Sequence, residues 1–173
     1  DAAIAATPLE HETIKERVLY YEPFVAYTPP GHRLSKEQKI KPEELDVDDI
    51  LLLEDGHCFK EGILNICKTN KDTDNASFQL ESGSFETLIK LANEGLGMTL
   101  LPYLHTLELP EKESNNLRMF EEPSPAREVS LIYNKSELKM QIIEALQQII
   151  SGVVRGAVAF NNVKIVSPLQ QKN

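Results

Sequence analysis

The stretch "SFETLIKLANEGLGMTLLP", residues 84–102, joins a helix pattern to a strand pattern across two glycines. Ser84 can accept hydrogen bonds at the start of the predicted helix, and Gly95 lets the backbone leave it. The apolar run 96–102 that follows is short and stops at a proline, which is typical of a buried strand. The apolar residues that recur at the spacing of one helix face are Phe85, Leu88, Ile89 and Ala92. The stretch therefore predicts a helix that leads directly into a strand.

Strand and helix patterns alternate on both sides of this stretch. Strands are expected at the apolar runs 2–6, 17–27, 50–53, 117–120 and 129–133, the first of them buried. Helices are expected over 58–67 and 137–150, the second with an apolar stripe toward the core made of Leu138, Ile142, Ala145, Leu146 and Ile149. Pro23 should bend the second strand. Such alternation indicates an α/β protein with a mainly parallel sheet.

Composition and charge indicate a globular protein and argue against membrane segments and nucleic-acid contact. Of the 173 residues, 41% are hydrophobic and 26% are charged, which is ordinary for a globular protein. No apolar run approaches the roughly 20 residues that span a bilayer, so no membrane segment is predicted. The formal net charge of −9 argues against nucleic-acid contact by this chain, because Lys and Arg supply most of that affinity. A start without Met and without a signal peptide suggests an excerpt from a longer, cytoplasmic protein.

Both cysteines of the chain lie in one segment, "LLLEDGHCFKEGILNIC", residues 51–67. Cys58 and Cys67 are nine residues apart, and on a helix that spacing is an axial separation of about 13.5 Å. A disulfide needs two α-carbons within roughly 7 Å of each other. The two thiols therefore cannot be joined while the segment is helical, and joining them would require the helix to unwind.

The residues alone leave the role of the cysteines open. A zinc site is disfavoured because the chain lacks the closely spaced cysteine pair and the four ligands of such sites, so no metal and no cofactor are expected. Buried cysteines are often inert, and Cys67 fits the role of apolar filler. Cys58 follows Gly56 and His57 at a predicted helix start, where the helix dipole favours a thiolate.

The cysteine segment resembles the redox segment of the OxyR peroxide sensors, a family within the LysR-type transcriptional regulators. The likeness lies in the run "LEDGHC", residues 53–58, and in the spacing to the second cysteine. Three other runs resemble LysR-type regulatory domains: "DAAIA" at 1–5, "ETLIKLANEGLGMTLLP" at 86–102 and "PSPAREVSLIY" at 123–133. The resemblance covers about residues 1–150, and the tail 159–173 matches nothing in it.

This resemblance implies a periplasmic-binding-protein-like regulatory domain of two α/β subdomains, of which the first is incomplete. Residues 1–22 and 128–173 would form the partial first subdomain, and residues 23–127 would form the second, which carries the cysteines. The DNA-binding domain of the family has no counterpart in the sequence, so contact with DNA is expected only through that missing N-terminal domain. The hydroxyl residues that hold peroxide in the family also fall in the missing part.

The resemblance further implies a redox switch rather than an enzyme. Cys58 matches the peroxidatic cysteine, which hydrogen peroxide oxidises. Cys67 matches the resolving cysteine, which closes a reversible disulfide and refolds the segment between the two. His57 and Arg127 match a histidine and an arginine near the reactive cysteine of the family.

The partners of the protein are also implied by the resemblance. Members of the family are transcriptional activators that assemble as homodimers or homotetramers, and the helix 84–95 is a candidate interface through Phe85 or Leu88. A glutaredoxin or thioredoxin system would return the disulfide to thiols. No membrane partner is expected.

Two rival functions remain open at this point. A LysR-type domain that binds a small effector would carry the cysteines incidentally and hold its ligand between the subdomains. A thiol peroxidase would need the "TxxC" context of peroxiredoxins, which the chain lacks. The residue roles also have alternatives: His57 would be held by turn backbone, and Arg127 would pair with Glu121 or Glu122. Surface pairs of that kind contribute only about 0–1 kcal/mol.

Overall fold

The computed structural model describes residues 2–54, 58–67, 81–158, 160 and 162–169, with only the backbone of Cys58. The strands are β1 (Ala2–Thr7), β2 (Ile14–Tyr27), β3 (Lys39–Ile40), β4 (Leu52–Leu53), β5 (Glu81–Ser82), β6 (Thr99–Pro102), β7 (Leu117–Phe120), β8 (Ser124–Asn134) and β9 (Val163–Ile165). The α-helices are α1 (Cys58–Cys67), α2 (Phe85–Asn93), α3 (Tyr103–Thr106), α4 (Glu111–Ser114) and α5 (Met140–Arg155). Short 3-10 turns lie at Pro42–Glu44 and Val47–Asp49.

The long strands β2 and β8 form the frame of the molecule. They pair antiparallel from Ile14 opposite Asn134 as far as Pro23 opposite Ala126. From Phe24 onward β2 pairs instead with β6, and its last residues also pair with β7. The change of partner occurs at Pro23, where the sequence predicts a bend, because proline has no N–H to donate to a neighbouring strand.

The expectation of a mainly parallel sheet is wrong, although the α/β class is confirmed. The strand order is β1-β8-β2-β7-β3, with β6 beside β2 and β9 beside β8. All pairings of β1 with β8, and of β2 with β8, β6 and β7, are antiparallel. Among the described strands, β3 with β7, β4 with β5 and β8 with β9 pair parallel, and an isolated parallel bridge joins Ile50 to Met98. The two long strands run in opposite directions and therefore impose antiparallel order on their neighbours.

Two hydrophobic cores lie on this frame. The larger core collects the second half of β2, together with β4, β6, α1 and α2. The smaller core is made of Leu19, Leu131, Tyr133 and Ile143, and it lies where α5 packs against β2 and β8. Strand β1 was expected to be buried, but only its last residues Ala6 and Thr7 are buried, because β1 is at one end of the strand order.

The predicted orientation of the last helix is wrong. Helix α5 begins at Met140 rather than 137 and continues to Arg155. Leu138 and Ile149 of the predicted stripe are 93% and 63% exposed, whereas Ile143, outside that stripe, is 2% exposed. The helix has apolar residues on two faces, and periodicity alone does not say which of the two meets the sheet.

Candidate redox site

Helix α1 spans ten residues and has one cysteine at each end. It begins at Cys58, five residues after the end of β4 at Leu53, and it ends at Cys67. The predicted helix over this segment is therefore confirmed. Its intact backbone separates the two cysteine positions by about 13.5 Å along the axis. A disulfide between them is incompatible with this helix.

The inner face of α1 is apolar and buried. Phe59, Ile63 and Ile66 point into the larger core at helical spacing. The Phe59 ring lies 4.8 Å from the Phe24 ring and 5.2 Å from the Phe85 ring, measured between centroids. These contacts hold the first turn of α1 against β2 and α2.

Gly62 lets the middle of α1 approach β2. A β-carbon at this position would lie 2.9 Å from Cζ of Phe24, which is closer than carbon atoms approach each other. Glycine inside a helix costs about 0.5–1 kcal/mol relative to alanine. Gly62 therefore allows α1 to pack closely on Phe24, and it also lowers the intrinsic stability of the helix.

A buried ion pair lies beside the first turn of α1. Nε of Arg127 donates to Oε2 of Glu22 at 2.9 Å, and Nη2 of Arg127 lies 2.7 Å from the same oxygen. Glu22 is 1% exposed, and its other oxygen accepts a hydrogen bond from the Leu104 backbone N–H at 2.8 Å. The Arg127 guanidinium carbon lies 5.2 Å from the centroid of the Phe59 ring. The structure therefore brings Arg127 to the N-terminal turn of the cysteine helix.

The alternative pairing of Arg127 with Glu121 or Glu122 is wrong. Glu121 lies 3.9 Å from the Lys41 ammonium, and Glu122 accepts a hydrogen bond from Asn162 at 2.9 Å. Arg127 instead lies opposite Glu22 in the β2–β8 ladder, so the two side chains meet across neighbouring strands. Arg127 pairs with a residue 105 positions away rather than with Glu121 or Glu122, because strand pairing brings the Arg127 and Glu22 side chains together.

The charges of this pair also act on Tyr20. Burial raises the pKa of the Tyr20 hydroxyl, the negative charge of Glu22 raises it further, and Arg127 lowers it. The carboxylate of the pair is poorly solvated, because Glu22 is 1% exposed. Electrostatic interactions are stronger there than at an open surface.

Cys67, at the other end of α1, is a free thiol that is 6% exposed. Burial raises its pKa from 9.0 to about 12, and the nearby Asp46 carboxylate adds to the shift. In this state the Cys67 sulfur is protonated and shielded from solvent. It therefore lacks the properties of a thiol that reacts first.

Polar contacts of Lys60 and Asn65 attach α1 to other parts of the chain. Near its start, the Lys60 ammonium lies 2.5 Å from the Glu81 carboxylate in β5. Near its end, Nδ2 of Asn65 donates to the carbonyl oxygens of Ser167 and Leu169, both at 2.9 Å. The helix is thus fixed at both ends by contacts outside the core.

A family model for the LysR substrate binding domain matches residues 1–154 of this chain. The chain belongs to this family. It is an OxyR-like regulatory domain of the LysR family, because its relatives and structural neighbours are OxyR proteins. The identification made from the sequence is confirmed.

The curated relatives are longer than this LysR-family chain. A "Probable hydrogen peroxide-inducible genes activator" of Mycobacterium leprae is 30% identical over 155 residues, which are 89% of this chain and 49% of the relative. The "DNA-binding transcriptional dual regulator OxyR" of Escherichia coli K12 is 28% identical over 135 residues, 77% of this chain and 43% of that protein. The chain thus spans about half the length of the relatives it matches.

Solved OxyR structures share the fold of this domain. OxyR from Porphyromonas gingivalis has a TM-score of 0.81 at 26% identity, covering 96% of this chain and 76% of that one. A Corynebacterium glutamicum OxyR mutant with hydrogen peroxide bound also has a TM-score of 0.81, at 25% identity, covering 96% of this chain and 55% of that one.

The structure describes two of the four sequence-predicted site residues of this LysR-family domain in full. Arg127 and Cys67 are described in full and lie at opposite ends of α1. The prediction for His57, and that for the side chain of Cys58, lie outside the described residues. Sequence reasoning missed Glu22 and Asn65. The available signal for Glu22 was an acidic residue inside the apolar run 18–27 of β2.

Two further features bear on binding. Within the described ranges, no group of three or more His, Cys, Asp or Glu side chains is placed to hold a metal ion. No helix in the described part of the chain has the length and apolar character needed to cross a membrane.

Proposed function

We propose that this chain is the redox-sensing part of a peroxide-responsive transcriptional regulator. Hydrogen peroxide oxidises Cys58, which then forms a reversible disulfide with Cys67. The observation that carries the proposal is the position of the two cysteines at opposite ends of one short buried helix. Joining them requires α1 to unwind, so the redox state and the fold of this segment are coupled.

The chemistry consists of two balanced steps. The Cys58 thiolate attacks one peroxide oxygen, the O–O bond breaks, and the products are a sulfenic acid and, after protonation, water. The Cys67 sulfur then attacks the sulfenic sulfur, and a second molecule of water leaves as the disulfide forms. A thiol reductant of the glutaredoxin or thioredoxin class reverses the reaction.

The properties of α1 support a helix that can refold. A ten-residue helix is marginal on its own, and Gly62 weakens it further. Its stability therefore comes from the core contacts of Phe59, Ile63 and Ile66. When oxidation draws Cys67 out of the core, α1 unwinds and loses the core contacts of Phe59, Ile63 and Ile66 together.

Arg127 and His57 have separate roles in the proposal. The Arg127 cation beside the first turn of α1 and the helix N-terminus favour the Cys58 thiolate. His57 donates a hydrogen bond to the thiolate or to peroxide. Glu22 fixes the Arg127 side chain beside α1 and offsets part of the effect of its positive charge.

The wider assembly follows the family. Residues 1–22 with 128–173 and residues 23–127 are the two proposed subdomains. The two separate cores support this division, except that Val166 in the tail packs against the larger core. The protein acts in the cytoplasm as a homodimer or homotetramer and contacts DNA through another domain. Helix α2 remains the candidate interface, but Leu88 is in the core and Phe85 packs on Phe59, so only its outer face is available.

The proposal is tested by the intact mass of the chain under non-reducing conditions. One equivalent of hydrogen peroxide should remove two hydrogens from the unaltered chain. Cys58→Ser should abolish the reaction, and Cys67→Ala should stop it at a sulfenic acid that dimedone traps. Equal loss of peroxide reactivity in both variants would contradict the assigned roles.

Hydrogen exchange gives a second test of the same proposal. Oxidation should increase exchange of the backbone amides of α1 and leave those of β2 and β8 unchanged. If the mass and the exchange of α1 both stay the same after peroxide, the cysteines are incidental. A LysR-type domain that binds a small effector would then be the better description.

A further inference from the structure

The chain after α5 returns to the cysteine helix. Residues 162–169, here called the tail strap, begin with an asparagine and continue as β9, which pairs parallel with the start of β8. The Val166 backbone N–H then donates to the Ala126 carbonyl at 2.8 Å, and Val166 packs against the larger core. The strap therefore has its own anchor on β8 before it reaches α1.

One side chain of α1 binds the end of the strap. Asn65 donates from Nδ2 to the carbonyl oxygens of Ser167 and Leu169, each at 2.9 Å. Its own carbonyl oxygen is buried and has no hydrogen-bond partner among the described residues. The two bonds to the strap are therefore what orients this amide. Asn65 lies two residues before Cys67, in the last turn of α1.

A cavity lies beside the contact between strap and helix. It has a volume of about 440 Å³ and is lined by Asn65 and Ile66 of α1, by strap residues 164–167 and by charged residues that include Lys41 and Glu121. Val166 keeps its own contact with the larger core, whereas the two hydrogen bonds of Asn65 join the last turn of α1 to the end of the strap. One substitution at Asn65 therefore removes both of these bonds.

We propose that Asn65 and the tail strap are a positioning element that holds the Cys67 end of α1 and slows disulfide formation. The inference rests on the proposed function, because it concerns the second step of that reaction. Asn65 lies within the segment that must unwind, so both of its bonds to the strap break before Cys67 reaches Cys58. The strap binds only the helical state, so the free energy by which it stabilises that state also disfavours the disulfide state relative to it.

The main test is Asn65→Leu, which removes both donors and keeps a side chain of similar volume. Sulfenic acid formation at Cys58 should keep its rate, because the strap is at the other end of α1. The disulfide step should become about 5- to 50-fold faster, as the loss of two ordinary hydrogen bonds predicts. The equilibrium with dithiothreitol should shift toward the disulfide by a similar factor.

Asn162→Ala is the matched control. Asn162 is on the same strap, and its amide bonds to Glu122 rather than to α1. Both the sulfenic acid step and the disulfide step should keep their rates in this variant. Removal of residues 162–173 should reproduce the effect of Asn65→Leu, and adding Asn65→Leu to the shortened chain should change nothing further. The shortened chain still tests the inference if the Asn65→Leu variant folds poorly.

The outcomes separate this inference from the proposed function. A disulfide that forms at the same rate in the unaltered and Asn65→Leu chains overturns the inference alone. A chain that forms no disulfide after peroxide overturns the proposed function and the inference with it. Acceleration of both steps together, or in Asn162→Ala as well, indicates general loosening and also overturns the inference.

Discussion

Arg127 and Glu22 form a buried ion pair with 2.7 Å between Nη2 and Oε2, and the same guanidinium lies 5.2 Å from the ring of Phe59. The pair joins the two long strands, and it contacts the residue that follows Cys58. Any substitution of Arg127 therefore acts on the stability of the frame as well as on the redox site. The two effects need separate measurements.

The effect on stability is tested by Arg127→Ala. We expect the free energy of unfolding to fall by about 3–5 kcal/mol, because Glu22 would be left buried without its cation. Urea denaturation measures the change. Adding Glu22→Gln to Arg127→Ala should recover much of the loss. A double variant that is no more stable than Arg127→Ala would contradict a cost that arises from the unpaired carboxylate.

The effect on reactivity is best tested by comparing that double variant with Glu22→Gln alone, because the two chains differ only in the Arg127 cation and neither has an unpaired carboxylate. Removing the cation should raise the pKa of the Cys58 thiol and slow its reaction with peroxide at neutral pH. The rates of the double variant and of Glu22→Gln should converge once the pH exceeds both pKa values. A deficit that persists at high pH would mean that Arg127 positions peroxide instead.

The pKa of Cys67 predicts how stability depends on pH. Its folded-state pKa of about 12 is higher than the ordinary value of 9.0, so the folded state keeps a proton that the unfolded state loses. The stabilisation is complete below pH 9.0 and is lost as the pH rises toward 12. In that window the free energy of unfolding should fall by up to about 1.4 kcal/mol per pH unit from this group. Cys67→Ala should reduce the slope, and identical slopes would contradict the prediction.

Gly62 and Gly152 form a matched pair for testing the packing of α1. Gly62→Ala should lower the free energy of unfolding by about 1–2 kcal/mol, because overpacking against Phe24 outweighs the better helix propensity. Gly152→Ala in α5 has no atom within 4 Å of the new β-carbon and should raise it by about 0.5–1 kcal/mol. Thermal denaturation of both variants gives the comparison. Stabilisation by both substitutions would show that Phe24 can move aside.

The orientation of α5 gives the last prediction. Ile143→Ala should cost about 2–5 kcal/mol, because the residue fills the smaller core. Ile149→Ala, on the exposed stripe, should change the stability by only about 0.5 kcal/mol. Urea denaturation of this chain distinguishes the two. Equal costs would mean that the exposed stripe is packed.

Local patterns in the sequence determined the elements that carry the site. The Ser84 side chain accepts from the Thr87 N–H at 3.3 Å, and Gly95 has a φ of +83°, so α2 starts and ends at the predicted signals. The spacing of Cys58 and Cys67 set the distance along α1 that a disulfide must overcome. Signals of this kind act within one or two turns, and a single sequence displays them directly.

Tertiary structure decided which of these elements meet and which side chains become partners. Glu22 is paired with Arg127 because β2 and β8 lie side by side, and Asn65 binds Ser167 because β9 returns along β8. The buried face of α5 was decided by the fit of Ile143 to the sheet. These contacts join residues distant in sequence, so the local periodicity that predicts each element carries no information about them.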